Sequence, residues 1–213
     1  MTKLTLDITM SLDGFIAGHN PRAEQPLGDG GERLHEWMYG LEAFRKRHGQ
    51  VGGTTNRDAE IIEESLAGTG AVIMGRGMFG GGDGPWDESW KGWWGDEPPF
   101  RQPVFVLTHH PREPLVMQGG TTFNFVTDGI GSALEQARSV AAGKNVAVGG
   151  GANVVQQYLR AGLLDELQVH VAPLLLGQGV RLFDHLGTDP TELEVIRVVE
   201  SPAVTHLKYR PVR

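Results

Sequence analysis

The chain has no cysteine. That excludes disulfide staples, a thiolate nucleophile and cysteine-ligated zinc, and it fits a reducing compartment. Basic residues are in short supply: 19 lysines and arginines stand against 26 aspartates and glutamates, a formal net charge of −7. A dedicated nucleic-acid or membrane-surface binder carries a basic excess, so neither partner is expected. A few N–H groups and one or two arginines can still hold an anion against that average. Long apolar runs are missing as well. The opening MTKLTLDITMSLDG lacks the uncharged core of a signal peptide, and no later run approaches the ~20 residues of a membrane span. A cytoplasmic protein is the expectation.

Glycine, by contrast, is plentiful: 31 of 213 residues, placed between apolar segments rather than in a low-complexity tract. The glycines therefore mark tight turns of a chain that buries a real core. Leu4, Leu6, Ile8 and Met10 alternate with polar neighbours and predict a first strand. A helix is predicted from Glu32 to about Arg47, where Leu34, Trp37, Met38, Leu41 and Phe44 recur at helical spacing. Thr55 or Asn56 caps a second helix. The runs at Ala71–Met74, Pro103–Leu107 and Val146–Val148 are apolar on both faces, the mark of parallel strands covered by helices. The last two strands, Glu192–Glu200 with a bulge near Val195 and Ile196, then Ala203–Arg210, are joined by so short a link that they must form an antiparallel hairpin. The expected fold is a single α/β domain over residues 1–213, with a mostly parallel sheet, an antiparallel C-terminal hairpin and a Gly/Trp-rich insertion at about 80–102.

The chain is organised around NVAVGGGANVVQQYL, Asn145 to Leu159. It reads as a strand, a bare turn at Gly149, Gly150 and Gly151, and a helix. Such a turn gives a ligand access to unpaired N–H groups at a helix N-terminus, which suits a phosphate. In open α/β sheets, ligands sit at the carboxyl ends of strands. Ser11-Leu12-Asp13-Gly14, Gly75-Arg76 and Thr108-His109 fall at such ends too. Arg76 is suited to a phosphate by its fork of donors. A Rossmann fingerprint fails because the third glycine position is Val154, and a P-loop fails because no Lys-Ser or Lys-Thr follows the glycines. His109 and His110 point to opposite faces of a strand and have no carboxylate partner, so no metal is expected.

The segments ITMSLDGFIAG, AVIMGRGMF, PVFVLTHHP, NVAVGGGANVVQQYL and LLDELQVHVAPLLLGQGVRLF, with the final hairpin, occur in an order that resembles dihydrofolate-reductase-like proteins. The resemblance is closest to the reductase domain of the bifunctional riboflavin-biosynthesis deaminase/reductase and its stand-alone relatives. It implies a three-layer sandwich with seven parallel strands and one antiparallel strand, NADPH as cofactor, and a homodimer. It places Gly75 and Arg76 at the phosphate-facing helix start, with Arg76 toward the 2′-phosphate. Thr108 and His109 fall beside the adenosine phosphate, and Gly149, Gly150, Gly151, Ala152 and Asn153 at the pyrophosphate. Ile16 and Ala17 border the nicotinamide, and Ser11 and Asp13 approach the substrate, with Asp13 or a water as candidate acid. The implied activity is hydride transfer to a C=N or C=O group of a small heterocyclic or sugar-linked substrate, as in a 5-amino-6-ribosylaminouracil-phosphate reductase. The alternative is a non-catalytic NADP(H)-binding sensor on the same fold. Two departures stand out. Leu34 occupies the place of the folate enzymes' acidic residue, with Glu36 on a different helical face. No zinc deaminase motif is present.

Overall fold

The computed structural model describes residues 2–22 and 24–212. In chain order the elements are β1 (Leu4–Ser11), β2 (Phe15–Ala17), a 3-10 turn (Gly31–Leu34), α1 (Glu36–Tyr39), α2 (Glu42–Arg47), α3 (Arg57–Gly68), β3 (Thr69–Gly75), α4 (Arg76–Phe79), β4 (Pro103–Leu107), β5 (Leu115–Val116), a second 3-10 turn (Gln118–Gly120), β6 (Thr122–Val126), α5 (Gly129–Val140), β7 (Asn145–Gly150), α6 (Ala152–Arg160), β8 (Glu166–Ala172), β9 (Val180–Arg181), β10 (Leu193–Glu200) and β11 (Thr205–Pro211). This is a mixed α/β protein with mostly parallel pairing and an antiparallel C-terminal strand pair. It forms two compact units, one made of the residues up to Thr5 with Gly68–Leu163, the other of Leu6–Ala67 with Leu164–Arg213.

In the first unit the strands lie in the order β7-β3-β4-β6-β5. The β7, β3, β4 and β6 pairings are parallel, with Met74 opposite Gly150, Gly75 opposite Leu107 and Leu107 opposite Val126. The strand ends are therefore level, and the loops after β7, β3 and β4 emerge side by side. The apolar runs of β3 and β4 are buried on both faces, as their composition requires. On one side, α5 buries Ala133, Leu134 and Ala137. A separate core of Val72, Met74, Phe79, Val104, Val106 and Phe123 is covered by Trp86, Trp90 and Trp94. The tryptophan-rich insertion is thus core cover: Trp90 Nε1 donates to Phe79 O at 3.1 Å, and Trp86 Nε1 to His110 O at 2.8 Å. These rings are half-buried, each keeping part of its surface in water.

In the second unit the order is β10-β11-β8-β1. β11 runs antiparallel to both β8 and β10, and the β10 register slips between Val195 and Arg197, at the expected bulge. With β5 also antiparallel to β6, antiparallel pairing is more extensive than the family pattern implies. Asn56 Oδ1 accepts from Ala59 N at 3.0 Å and caps α3 as its sequence position predicts.

The single helix expected over 32–47 is instead three short pieces, broken at His35 and at Gly40-Leu41. Leu41 is extended because Gly40 O accepts from Thr54 N at 2.9 Å while Thr54 O accepts from Glu42 N at 3.0 Å. Backbone pairing to a distant segment overrides the local periodicity here.

Candidate functional site

The glycine turn of the first unit begins inside β7. Gly150 has φ +129, a backbone conformation open to glycine, and a Cβ there would fall 3.3 Å from Met78 Sδ. Gly151 then starts α6 in an extended conformation, and no side chain caps the helix. The N–H groups of its first turn therefore lack a side-chain acceptor, as an anion-holding helix start requires. Gly75 lies beside this turn, with its Cβ position 3.9 Å from Gly151 N. On the far side of Gly75, Thr108 leaves β4 with its N donating to Val126 O and its Oγ1 accepting from His110 N, both at 3.1 Å. His109 is exposed on this turn. Asn153, also exposed, accepts from Gln157 Nε2 at 2.6 Å. Gly75, Thr108, His109 and Gly149–Asn153 are thus brought to one edge of one unit, on neighbouring strand ends. The α4 start at Arg76 is a single four-residue turn, so the longer α6 carries most of the helix-end field.

Arg76 does not face outward. It is 9% exposed, its guanidinium lies 3.7 Å from the Trp86 ring centroid, and Nη2 donates to the carbonyls of Gly81 and Gly84. Burial lowers its pKa, and nearby Arg112 adds to that, against the pull of Asp83. Arg112, which the sequence did not single out, sits 5.1 Å from the same ring. The insertion thus uses Arg76 as an internal anchor, turned away from the outward contact expected for a phosphate-binding arginine.

In the second unit, Ser11 and Asp13 are engaged by the chain itself. Ser11 is fully buried: its Oγ donates to Asp13 Oδ1 at 2.6 Å and accepts from Phe15 N at 2.9 Å. Asp13 also accepts from Leu176 N at 3.1 Å and Gly177 N at 2.7 Å. The Ser11 hydroxyl first, then these two N–H groups, hold the carboxyl ionised, with its pKa lowered to about 2. A carboxylate so held has no proton to give near neutrality. Asp13 is thus a clamp on the turn at Leu176 and Gly177, and Ser11 supports it. Ile16 and Ala17 form β2, which pairs with β9.

The same unit holds a cleft of about 330 Å³ lined by Arg33, Glu36, Trp37, Ala172, Leu174 and Ala203. The sequence predicts Trp37 as core and Glu36 on a different face from Leu34; in the structure both Glu36 and Trp37 line this cleft. Arg33, Glu36 and Trp37, spaced i, i+3 and i+4, line one cavity. The Trp37 indole N–H donates to Thr9 Oγ1 at 3.2 Å. Among the described residues no cluster of three or more His, Asp or Glu could hold a metal, and no helix is long and apolar enough to cross a membrane.

Residues 2–207 match the family model of the RibD C-terminal domain. No curated protein matches the chain. Among solved structures, the chain is similar to a candidate riboflavin biosynthesis protein from Shewanella sp. PV-4, at 23% identity and TM-score 0.65 over the whole of both chains. It is also similar to the diaminohydroxyphosphoribosylaminopyrimidine deaminase/5-amino-6-(5-phosphoribosylamino)uracil reductase of Thermotoga maritima, at 17% identity and TM-score 0.56, with 99% of this chain aligned to 57% of that one. A pyrimidine reductase-like protein from Corynebacterium diphtheriae aligns with all of this chain and 92% of its own, at 11% identity and TM-score 0.53. These likenesses, all below 25% identity, show a shared fold, and the chain spans little more than half of the bifunctional protein.

Proposed function

From the premise that this chain belongs to the RibD C-terminal domain family, we propose that it is an NADPH-dependent reductase acting on a C=N or C=O group of a small heterocyclic or sugar-linked substrate, of the 5-amino-6-ribosylaminouracil-phosphate kind. The observation that carries this reading is the cradle at the ends of β7, β3 and β4 in the first unit. Bare glycine backbone, an α6 start without a side-chain cap and the Thr108 turn lie there at adjacent positions. That is the donor chemistry a dinucleotide's phosphates need. Gly149–Asn153 would hold the pyrophosphate, with Gly75, Thr108 and His109 beside it. Bound there, NADPH supplies the hydride from C4 of its nicotinamide. The chain's share is to bind and orient, since Asp13 is fixed as a carboxylate and the proton comes from another source, such as water.

Ile16 and Ala17 are assigned to the nicotinamide by the family pattern. For the substrate, the cleft lined by Arg33, Glu36 and Trp37 offers an aromatic wall, a cation and a carboxylate, which fits a polar heterocycle bearing an anionic group. We also assign the protein to the cytoplasm and to a homodimer. β10 carries exposed Leu193, Val195, Ile196 and Val198, an apolar display that a sheet-edge strand rarely leaves open to water. Calorimetric titration with NADPH, NADH and NADP⁺, followed by a substrate panel monitored by NADPH oxidation, tests the reading. Failure to bind any of the three removes it, and binding without oxidation favours the sensor alternative.

A further inference from the structure

The interior of the second unit contains four titratable side chains in an unbroken row. Asp7 Oδ1 lies 2.7 Å from His170 Nε2, His170 Nδ1 lies 2.6 Å from His206 Nδ1, and His206 Nε2 lies 2.8 Å from Asp58 Oδ1. They come from β1, β8, β11 and α3. His170, His206 and Asp58 are 2–3% exposed, while the Asp7 side chain is 27% exposed and forms the solvent end of the row.

Counting protons shows what this arrangement demands. Every contact atom in the row is a carboxylate oxygen or an imidazole nitrogen, and each hydrogen bond between two such atoms needs one proton and only one. Three bonds need three protons. Two neutral imidazoles bring two, so the row holds one more than its neutral histidines supply, and two carboxylates with one shared cation leave it at a net charge of −1. With one proton fewer, two Nδ1 lone pairs face each other at 2.6 Å. With one more, two N–H groups do.

The surroundings act on both ends of the row. Asp7 also accepts from Gln168 Nε2 at 2.8 Å, and Gln168 Oε1 accepts from Arg197 Nη2 at 2.9 Å, while Arg197 Nη1 pairs with Glu64 at 2.7 Å. Burial alone would raise the Asp7 pKa, but the charge and hydrogen bond of His170, with Ser65 and Gln168, bring it below the usual value. Burial, and then the charge of His170, lower the pKa of His206 against the pull of Asp58 and Asp7. Nearby, Lys208 is paired with Glu166 at 3.1 Å.

Both imidazoles pack against Trp37, with ring centroids 5.1 Å away for His170 and 5.4 Å for His206. The indole is also held by Thr9, and its remaining surface lines the cleft between Arg33 and Glu36. We propose that Asp7, His170, His206 and Asp58 form a proton-sharing row of positioning residues that sets Trp37, the aromatic wall of the cleft, and makes that wall's position depend on pH. The inference rests on the row and on Trp37 alone, so it stands or falls separately from the identity of any cofactor or substrate.

The test is nuclear magnetic resonance of the full chain, ¹⁵N-labelled, across mildly acidic to mildly alkaline pH, with Trp37→Phe to identify the Trp37 indole signal. Wild type is expected to show one exchange-protected, far-downfield proton belonging to the imidazole pair. The signals of the His206 ring nitrogens and of the Trp37 indole N–H should move with the same midpoints. Asp58→Asn keeps an acceptor oxygen for His206 but removes its charge, so the midpoint for losing the shared proton should fall by about one pH unit or more. Absence of the far-downfield proton, or a Trp37 signal that does not follow His206, overturns the proposal on wild type alone, even if the variant does not fold. An unmoved midpoint in folded Asp58→Asn overturns it as well.

Discussion

Gly75 and Val154 pack so closely that a Cβ on residue 75 would fall 2.9 Å from the Val154 Cγ2. The first turn of α6 is thereby pressed against the end of β3, which keeps two of the three strand-end loops in register. Gly75→Ala must displace buried Val154, at a cost of about 1–3 kcal/mol for overpacking. NADPH affinity should fall with it. Adding Val154→Ala should restore affinity relative to the single variant. Calorimetric binding of both variants checks this, and equal affinity for Gly75→Ala and wild type would show that the spacing is irrelevant to the cofactor.

The Asp13 clamp makes a prediction about acid. Its folded pKa of about 2 lies below the usual 3.8, so the clamp's contribution to stability is present above 3.8 and is lost as pH falls through about 2. Asp13→Asn should flatten that limb of the stability–pH curve, as read from urea unfolding at successive pH values. If the chain is the proposed reductase with water as its proton source, Asp13→Asn should also leave hydride transfer measurable. Abolished turnover in a stably folded Asp13→Asn protein would restore the acid role.

Arg76 stacks on Trp86 and is buried, so Arg76→Ala should act first on stability, lowering the unfolding free energy by about 1–3 kcal/mol through the lost stack and the carbonyls left without a donor. Affinities for NADPH and NADH should then drop by similar factors. A loss confined to NADPH would mean that the guanidinium swings out to the 2′-phosphate after all.

Val198 is 59% exposed on the edge strand β10. If that edge pairs two copies, Val198→Lys should weaken the dimer at least tenfold, about 1.4 kcal/mol, in sedimentation equilibrium. An unchanged dimer would place the interface elsewhere.

Much of this fold was legible in the sequence because its signals are local. Two-sided apolar runs marked β3, β4 and β7, the short link after β10 marked the hairpin, and Asn56 marked the start of α3. The glycine turn and its neighbours at Gly75 and Thr108 were legible for the same reason: each ends an apolar strand. What the sequence did not reveal depends on distant partners. The Thr54 pairing that breaks the helix at Gly40-Leu41 lies outside any periodicity window, and the cleft beside Trp37 is closed by Ala172, Leu174 and Ala203, far away in sequence. The inward turn of Arg76 depends on Trp86, ten residues on. The clamp on Asp13 depends on Leu176 and Gly177, and the row from Asp7 to Asp58 joins four separate elements. A short motif can place a residue at a strand end without saying whether its side chain is already engaged.

The cradle of the first unit is proposed to hold NADPH, and calorimetric titration of the wild-type protein against Gly150→Ala tests this most directly. Position 150 has φ +129 and faces Met78, so an added methyl strains the turn itself without touching Asp13 or the cleft. The account predicts that wild type binds NADPH and that a folded Gly150→Ala protein binds it at least tenfold more weakly. NADPH binding of equal strength in both proteins, or none in wild type, would contradict it.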